Sequence, residues 1–455
     1  MKHLLIRNIA RIVGTHDASV VQLRGSEMKH LPGIDNSWLL TEGDHIADFG
    51  REDDGLSTIA RLAVASGTAE TIDAEGGWLF PAFCDSHTHL VYSGSREGEF
   101  VDKIRGLSYA EIARRGGGIL CSSDRLHEAS EDELYHEAMK RVGEIAAKGT
   151  GAVEIKSGYG LNTDDELKML RVIRRIRQTA PMRVVSTFLG AHAVGRAWQG
   201  RQAEYVDMII SEMLPEVARQ QLADFVDVFC DEGFFTPDET RRILNAAAQY
   251  GMHGKIHGQE LADSGGVAVA TQCGALSVDH LEQMTDADIA MLSKAGPLAP
   301  IPTALPGTSF FLNMPFAPGR RIIDGGLPLA IASDYNPGST PSGDMKFIIS
   351  LACIKMRLLP EEAINAATIN SAAAMGLSHR YGSIVRGKAA SFFITDALPS
   401  IGFLPYAYTT PLIRRVVLEG KKQTLHLLEY PASAGSRKTV NCQPVLLFSA
   451  SPSQH

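Results

Sequence analysis

Two histidines one residue apart, His87 and His89, follow an apolar run in FCDSHTHLVYSG (83–94). Side chains two apart on extended backbone point the same way. Both imidazoles can therefore aim at one point, as a metal ion requires. A polar turn after a strand is the other reading of an isolated His-x-His, and residues far along the chain decide between them. KIHGQE carries His257, SVDH ends in His280 and IASD ends in Asp334, each closing a brief apolar run. A core histidine is commonplace, but four run ends carrying His, His, His and Asp are hard to explain that way. The imidazoles of His87, His89 and His257 with the Asp334 carboxylate suit Zn²⁺ best and Fe²⁺ or Fe³⁺ as well, leaving a position for water. Glu260, three residues beyond His257, can reach such a water as general acid and base; a helix-start residue is the competing reading. His280 is expected beside the water or the developing oxyanion rather than among the ligands.

These residues need a scaffold that gathers the ends of several strands. From residue 78 onward, apolar runs at 79–85, 151–157, 183–192, 225–231, 254–258, 275–280, 297–303 and 328–334 alternate with amphipathic stretches such as 131–148, 164–178, 237–250 and 286–294. Several stretches open on capping residues, as in Asn162-Thr163-Asp164 and Thr285-Asp286. Strand then helix, eight times over, predicts an α/β fold, a (β/α)8 TIM-type barrel with catalytic groups at the strand C-termini. The competing doubly wound sheet would not usually need eight strands, and no GxGxxG follows the first one. Residues 1–77 read instead as short strands (4–6, 19–23, 38–40, 46–49, 70–73) punctuated by glycines, with a helical or loop insertion at 56–66. That grammar returns at 382–397 and 412–422. The expected organisation is a barrel over 78–383, a small discontinuous β-sandwich from 1–77 and 384–430, and a poorly ordered tail over 431–455.

Bulk properties narrow the function. The 455 residues are 44% hydrophobic and 21% charged, with a formal net charge of −8. No basic stripe invites nucleic acid. No stretch reaches the roughly 20 apolar residues of a membrane span, and the N-terminus lacks a secretory signal. Six scattered cysteines without a CxxC pair argue for reduced thiols, hence a cytoplasmic protein.

HTHLVYSGSRE, GGGIL, EIKSGYGL, TFLGAHAV, KIHGQE, SVDH, LPGTSFFL and SDYNPGS, in this order between about residues 75 and 425, resemble the motifs of the imidazolonepropionase family of the amidohydrolase superfamily. His-x-His and a late Asp mark only the superfamily; KSGYG, GAHA and DxNPGS together are far more specific. The resemblance implies hydrolysis of 4-imidazolone-5-propanoate to N-formimidoyl-L-glutamate in histidine degradation. It places metal ligands at His87, His89, His257 and Asp334, and acid–base chemistry at Glu260 assisted by His280. Substrate contacts fall at Arg96, Tyr159, His192, Asn336, Gly338 and Ser339. Arg96 offers a guanidinium fork for the propanoate carboxylate, and Gly116-Gly117-Gly118 is expected to form a loop near the pocket. Some related barrels bridge a second metal with a lysine on strand four. None lies in 225–230, so one divalent metal per chain is expected; a homodimer is also implied.

Three features depart from the family: Gly258-Gln259 where Ala-Asp is common, a longer seventh strand segment, and the long tail. Two rival functions follow from weaker use of the same residues. A deaminase acting on a purine or pyrimidine would need no carboxylate-binding Arg96. A non-catalytic barrel would typically have lost metal ligands, whereas all are present.

Overall fold

The computed structural model describes residues 3–107, 111 and 117–423. The tail 431–455, residues 424–430 of the small domain, and Gly116 of the glycine loop lie outside the described residues.

Eight parallel strands hydrogen-bond in chain order: Phe83–Asp85, Thr150–Lys156, Arg183–Ala191, Phe225–Cys230, His253–Gly258, Ser277–His280, Ile301–Ala304 and Ala330–Ile331. We number them barrel strands one to eight. Strands one and eight meet just past their ends, where Thr88 pairs in parallel with Tyr335. There Asp334 N donates to His87 O at 3.0 Å and His89 N to Tyr335 O at 3.0 Å. The barrel thus closes at the positions whose side chains are candidate ligands.

The helices between strands begin where the sequence offers caps. Asn162 accepts from Asp165 N ahead of helix Thr163–Thr179, which buries Leu167, Leu170, Ile173 and Ile176 against the barrel. Ser130 with Glu133 and Thr236 with Glu239 form reciprocal capping boxes before Glu131–Ala147 and Pro237–Ala248. Along strand two, Val153 and Ile155 join the apolar core under these helices. The alternating Glu154 and Lys156 are fully buried on the other side.

A second, mixed sheet combines His3–Val13, Gly33–Glu42, His45–Arg51, Ala69–Asp73 and Trp78–Pro81 with Phe392–Thr395, Ile413–Leu418 and Lys421–Gln423. It folds back on itself: Ile46 N donates to Lys388 O, and Ala390 N to Asp44 O, each at 2.8 Å. Ile6, Ile12, Leu39, Leu79, Phe392 and Val417 fill the space enclosed. Phe83, opening strand one, packs on Phe393 of this sheet with ring centroids 4.7 Å apart.

Three expectations are corrected. The run 79–85 is two strands parted at Ala82, the first serving the small sheet and the second the barrel. Residues 19–23 form no strand; Asn370 instead accepts from Leu23 N and donates to Leu23 O, both at 2.9 Å, standing in for a neighbouring strand. The seventh segment is not a long strand either, because Gly296–Leu298 is a 3₁₀ turn and Pro306–Leu312 a helix around a strand of ordinary length.

Candidate metal centre and active site

At the C-terminal mouth of the barrel, His87, His89, His192, His257, His280 and Asp334 are all buried. His87 Nε2 and His89 Nε2 lie 3.7 and 3.6 Å from Asp334 Oδ1. Three sets have donor atoms within 4.8 Å of one another: His87, His89 and Asp334; His87, His257 and His280; His89, His192 and His257. His257 is thus shared by two sets, and its ring centroid is 4.3 Å from that of His87.

The donor set fits a cation on two counts. His87 Nε2, His89 Nδ1 and His257 Nε2 are buried without a hydrogen bond, although such groups ordinarily find partners. The carboxyls crowded beside them are short of positive charge. Burial above all, then the charges of Glu282, Asp334 and Asp231, pushes the Glu260 carboxyl well above its usual range. Asp334 is also raised, chiefly by burial.

Carboxylates behind the imidazoles fix their orientation. Asp279 Oδ2 lies 2.7 Å from His87 Nδ1, and Asp227 Oδ2 lies 2.9 Å from His257 Nδ1. Such partners set the tautomer that presents the other nitrogen forward. Both carboxylates belong to an ion cluster inside the barrel. Lys156 Nζ donates to Glu154 Oε1 at 2.6 Å and to Asp227 Oδ2 at 2.7 Å, and lies 3.7 Å from Asp279. Lys255 binds the other Glu154 oxygen and, at 3.1 Å, the carbonyl of Ser86.

Glu260 is held by its backbone. Asp231 accepts from the amides of Glu260, Leu261 and Ala262 at 2.7, 2.9 and 3.1 Å. Its side chain reaches His280, with Oε2 3.6 Å from Nδ1. Glu282 approaches the same nitrogen at 3.8 Å and accepts from Ser309 Oγ at 2.8 Å. Burial is the main cause that pushes the Glu282 carboxyl up to about 8, against the pull of the Ser309 hydrogen bond. Gln259, His280, Leu281 and Asp334 have φ of +56°, +82°, +73° and +55°. Left-handed backbone at non-glycine residues is costly, and here it falls at the ends of strands five, six and eight.

The remaining candidates line one side of this centre. His192 stacks on His89 with centroids 5.1 Å apart, and its Nδ1 meets Gly158 O at 2.9 Å. Burial first, then the His257 charge, lowers its pKa to about 3, so the ring is neutral. Tyr159 packs its ring 5.5 Å from His192, on a loop braced by Glu166, which accepts from Gly158, Gly160 and Leu161 amides. Asn336 Oδ1 accepts from Gly338 N and Ser339 N at 2.8 Å each, while Ser339 Oγ donates to Asp334 Oδ2 at 3.1 Å. Gly338 lets the Arg96 guanidinium lie against the backbone, since a Cβ there would sit 2.1 Å from Arg96 Nη1 and push that group aside. Arg96 itself forms a two-pronged pair with Glu99, at 2.9 and 2.7 Å. Every site residue expected from sequence therefore lies in one connected constellation. Asp227, Asp231, Asp279, Glu166 and Glu282 join it unforeseen; DxF on strand four, SVDH and HLE were the visible signals for Asp227, Asp279 and Glu282, and Asp231 and Glu166 had none.

Parallel barrel, strand-end histidines and a late aspartate together define a class. Residues 78–424 match the amidohydrolase family model, and the chain belongs to that family. It is 50% identical to the imidazolonepropionase of Christiangramia forsetii, covering 92% of this chain and 99% of that one. It is 41% identical to that of Geobacillus kaustophilus, covering 92% and 98%. Within the amidohydrolases it thus belongs to the imidazolonepropionases. The fold is shared more widely. A zinc-complexed atrazine chlorohydrolase from Arthrobacter aurescens is 16% identical with a TM-score of 0.65, over 92% of this chain and 94% of that one. E. coli guanine deaminase is 14% identical with a TM-score of 0.64, over 93% and 99%.

Proposed function

We propose that this chain hydrolyses 4-imidazolone-5-propanoate to N-formimidoyl-L-glutamate, the ring-opening step of histidine degradation. The observation that carries the reading is one buried cluster at the barrel mouth, in which His87, His89, His257 and Asp334 lie beside His280 and Glu260 and connect through the Asn336–Ser339 turn to Arg96. Incubation with the imidazolone and identification of the product tests it. Ammonia release from an aminopurine, with the imidazolone untouched, would establish a deaminase instead.

His87, His89, His257 and Asp334 would hold one divalent ion, zinc in the first instance and iron as the alternative. Bound there, it supplies a Lewis acid that acidifies water near neutral pH and polarises a carbonyl. Glu260 takes a proton from the attacking water and delivers one to the departing ring nitrogen, so that the C–N bond of the ring amide breaks as the C–O bond forms. His280, beside Glu260, donates toward the oxygen that gains charge. Neutral His192, Tyr159 and the Asn336–Ser339 turn orient the ring, and Arg96 receives the propanoate.

The ion assignment gives one expected result: about one metal per purified chain, the content of a mononuclear site, lost in His257→Ala and in Asp334→Ala. Two metals per active chain, or full content in both variants, would contradict it. A second concerns Arg96→Ala. A carboxylate contact persists from ground state to transition state, so KM should rise about 10–100-fold with kcat nearly kept. Unchanged KM with collapsed kcat would place Arg96 in the chemistry instead.

The same reading keeps the protein in the cytoplasm; no helix among the described residues is long and apolar enough to cross a membrane. It treats the barrel that opens at Phe83 as the catalytic unit, and the second sheet, with strands from both parts of the chain and Trp78–Pro81 among them, as a composite unit.

A further inference from the structure

The helix Glu97–Ile104 opens on Arg96 and places Arg96, Glu99, Phe100 and Lys103 along one face. Phe100 stacks on Phe311 with centroids 5.3 Å apart, and Lys103 Nζ sits 5.7 Å from the Phe311 ring. Lys103 Nζ donates to the carbonyl of Gly338 at 3.1 Å. That is the same glycine whose Cα side is pressed against the Arg96 guanidinium. Two cations therefore converge on one backbone unit of the strand-eight loop.

Charge counting makes the second cation matter. Both prongs of Arg96 are matched by Glu99, whose Oε1 also accepts from Gly118 N at 3.0 Å. The Arg96–Glu99 pair is neutral, and an incoming carboxylate would meet Glu99's negative charge beside the guanidinium. Lys103 leaves the cluster with one net positive charge. Burial first, and the neighbouring Arg96 charge second, hold its ammonium below lysine's usual range. A desolvated cation beside another cation gains most from an anion placed between them.

We propose that Lys103 is a second specificity-determining cation for the substrate's propanoate, acting with Arg96 across Gly338. This rests on the reading of the chain as an imidazolone propanoate hydrolase. It predicts that selectivity for an anionic side chain over an uncharged one depends on Lys103 as well as on Arg96.

The test compares 4-imidazolone-5-propanoate with its propanamide analogue on wild type, Lys103→Met and Lys103→Arg, each checked for metal content. For Lys103→Met, KM for the propanoate should rise about 10–100-fold, as for loss of a hydrogen bond to a charged group. KM for the propanamide should change by less than about twofold, with kcat kept for both. Lys103→Arg should recover most of the propanoate affinity, which a misfolded site would not. An equal rise for both substrates would show that Lys103 only props the Gly338 carbonyl, and would overturn the proposal, as would an unchanged KM for the propanoate. A wild type that leaves the propanoate untouched would remove the underlying function, and this proposal with it.

Discussion

Glu260→Gln should retain its metal, bind substrate and lose about 10²–10⁴-fold in kcat, the span usual for a general acid–base group. Glutamine keeps the size and polarity of the side chain beside His280 but accepts no proton from water. The backbone brace is untouched, because Asp231 holds residues 260–262 through their amides rather than through the Glu260 carboxyl. Position and proton transfer are therefore separated in one substitution. A variant depleted of metal would make Glu260 a ligand. A metal-replete variant with normal turnover would make it a bystander, and the mechanism above would be wrong.

Lys156→Met should destabilise the fold by about 3–5 kcal/mol, the cost of removing one partner from a buried ion cluster. Lys156 is fully buried, and it faces Glu154, Asp227 and Asp279. Burial opposes its charge, but the carboxylates outweigh that and hold its ammonium above the ordinary range. Without it, Lys255 alone balances three buried acids, so their charges repel or their protons return. Either response disturbs the two carboxylates that aim His87 and His257, and metal affinity should fall about 10–100-fold, as for other outer-shell changes. Denaturant midpoints and metal titration on the same preparation check both effects. Wild-type stability in that variant would contradict the electrostatic account of the barrel interior.

The candidate site residues were legible because of where they stand. His257, His280 and Asp334 close apolar runs and His87 and His89 directly follow one, and in a parallel barrel all such ends come to one mouth. Capped helices and eight runs were readable for the same reason: local signals with fixed periods. The ion cluster was not legible, because alternating charged residues such as Glu154 and Lys156 look like a solvated strand face until the barrel closes around them. Asp231 and Glu166 were invisible for another reason. Their partners are backbone amides, which carry no sequence signature. The small sheet was only partly readable, since Asn370 can replace a strand at Leu23 from 347 positions away.

The central claim is that water attacks the ring carbonyl and that the amide C–N bond is the one broken. Turnover of 4-imidazolone-5-propanoate by metal-replete protein in water enriched in oxygen-18 tests it directly, with the product read by mass spectrometry. The account predicts N-formimidoyl-L-glutamate carrying a single heavy oxygen in its α-carboxylate, with no ammonia released. A heavy oxygen in a formyl group, or ammonia without ring opening at the carbonyl, would place the attack on the amidine carbon and contradict it.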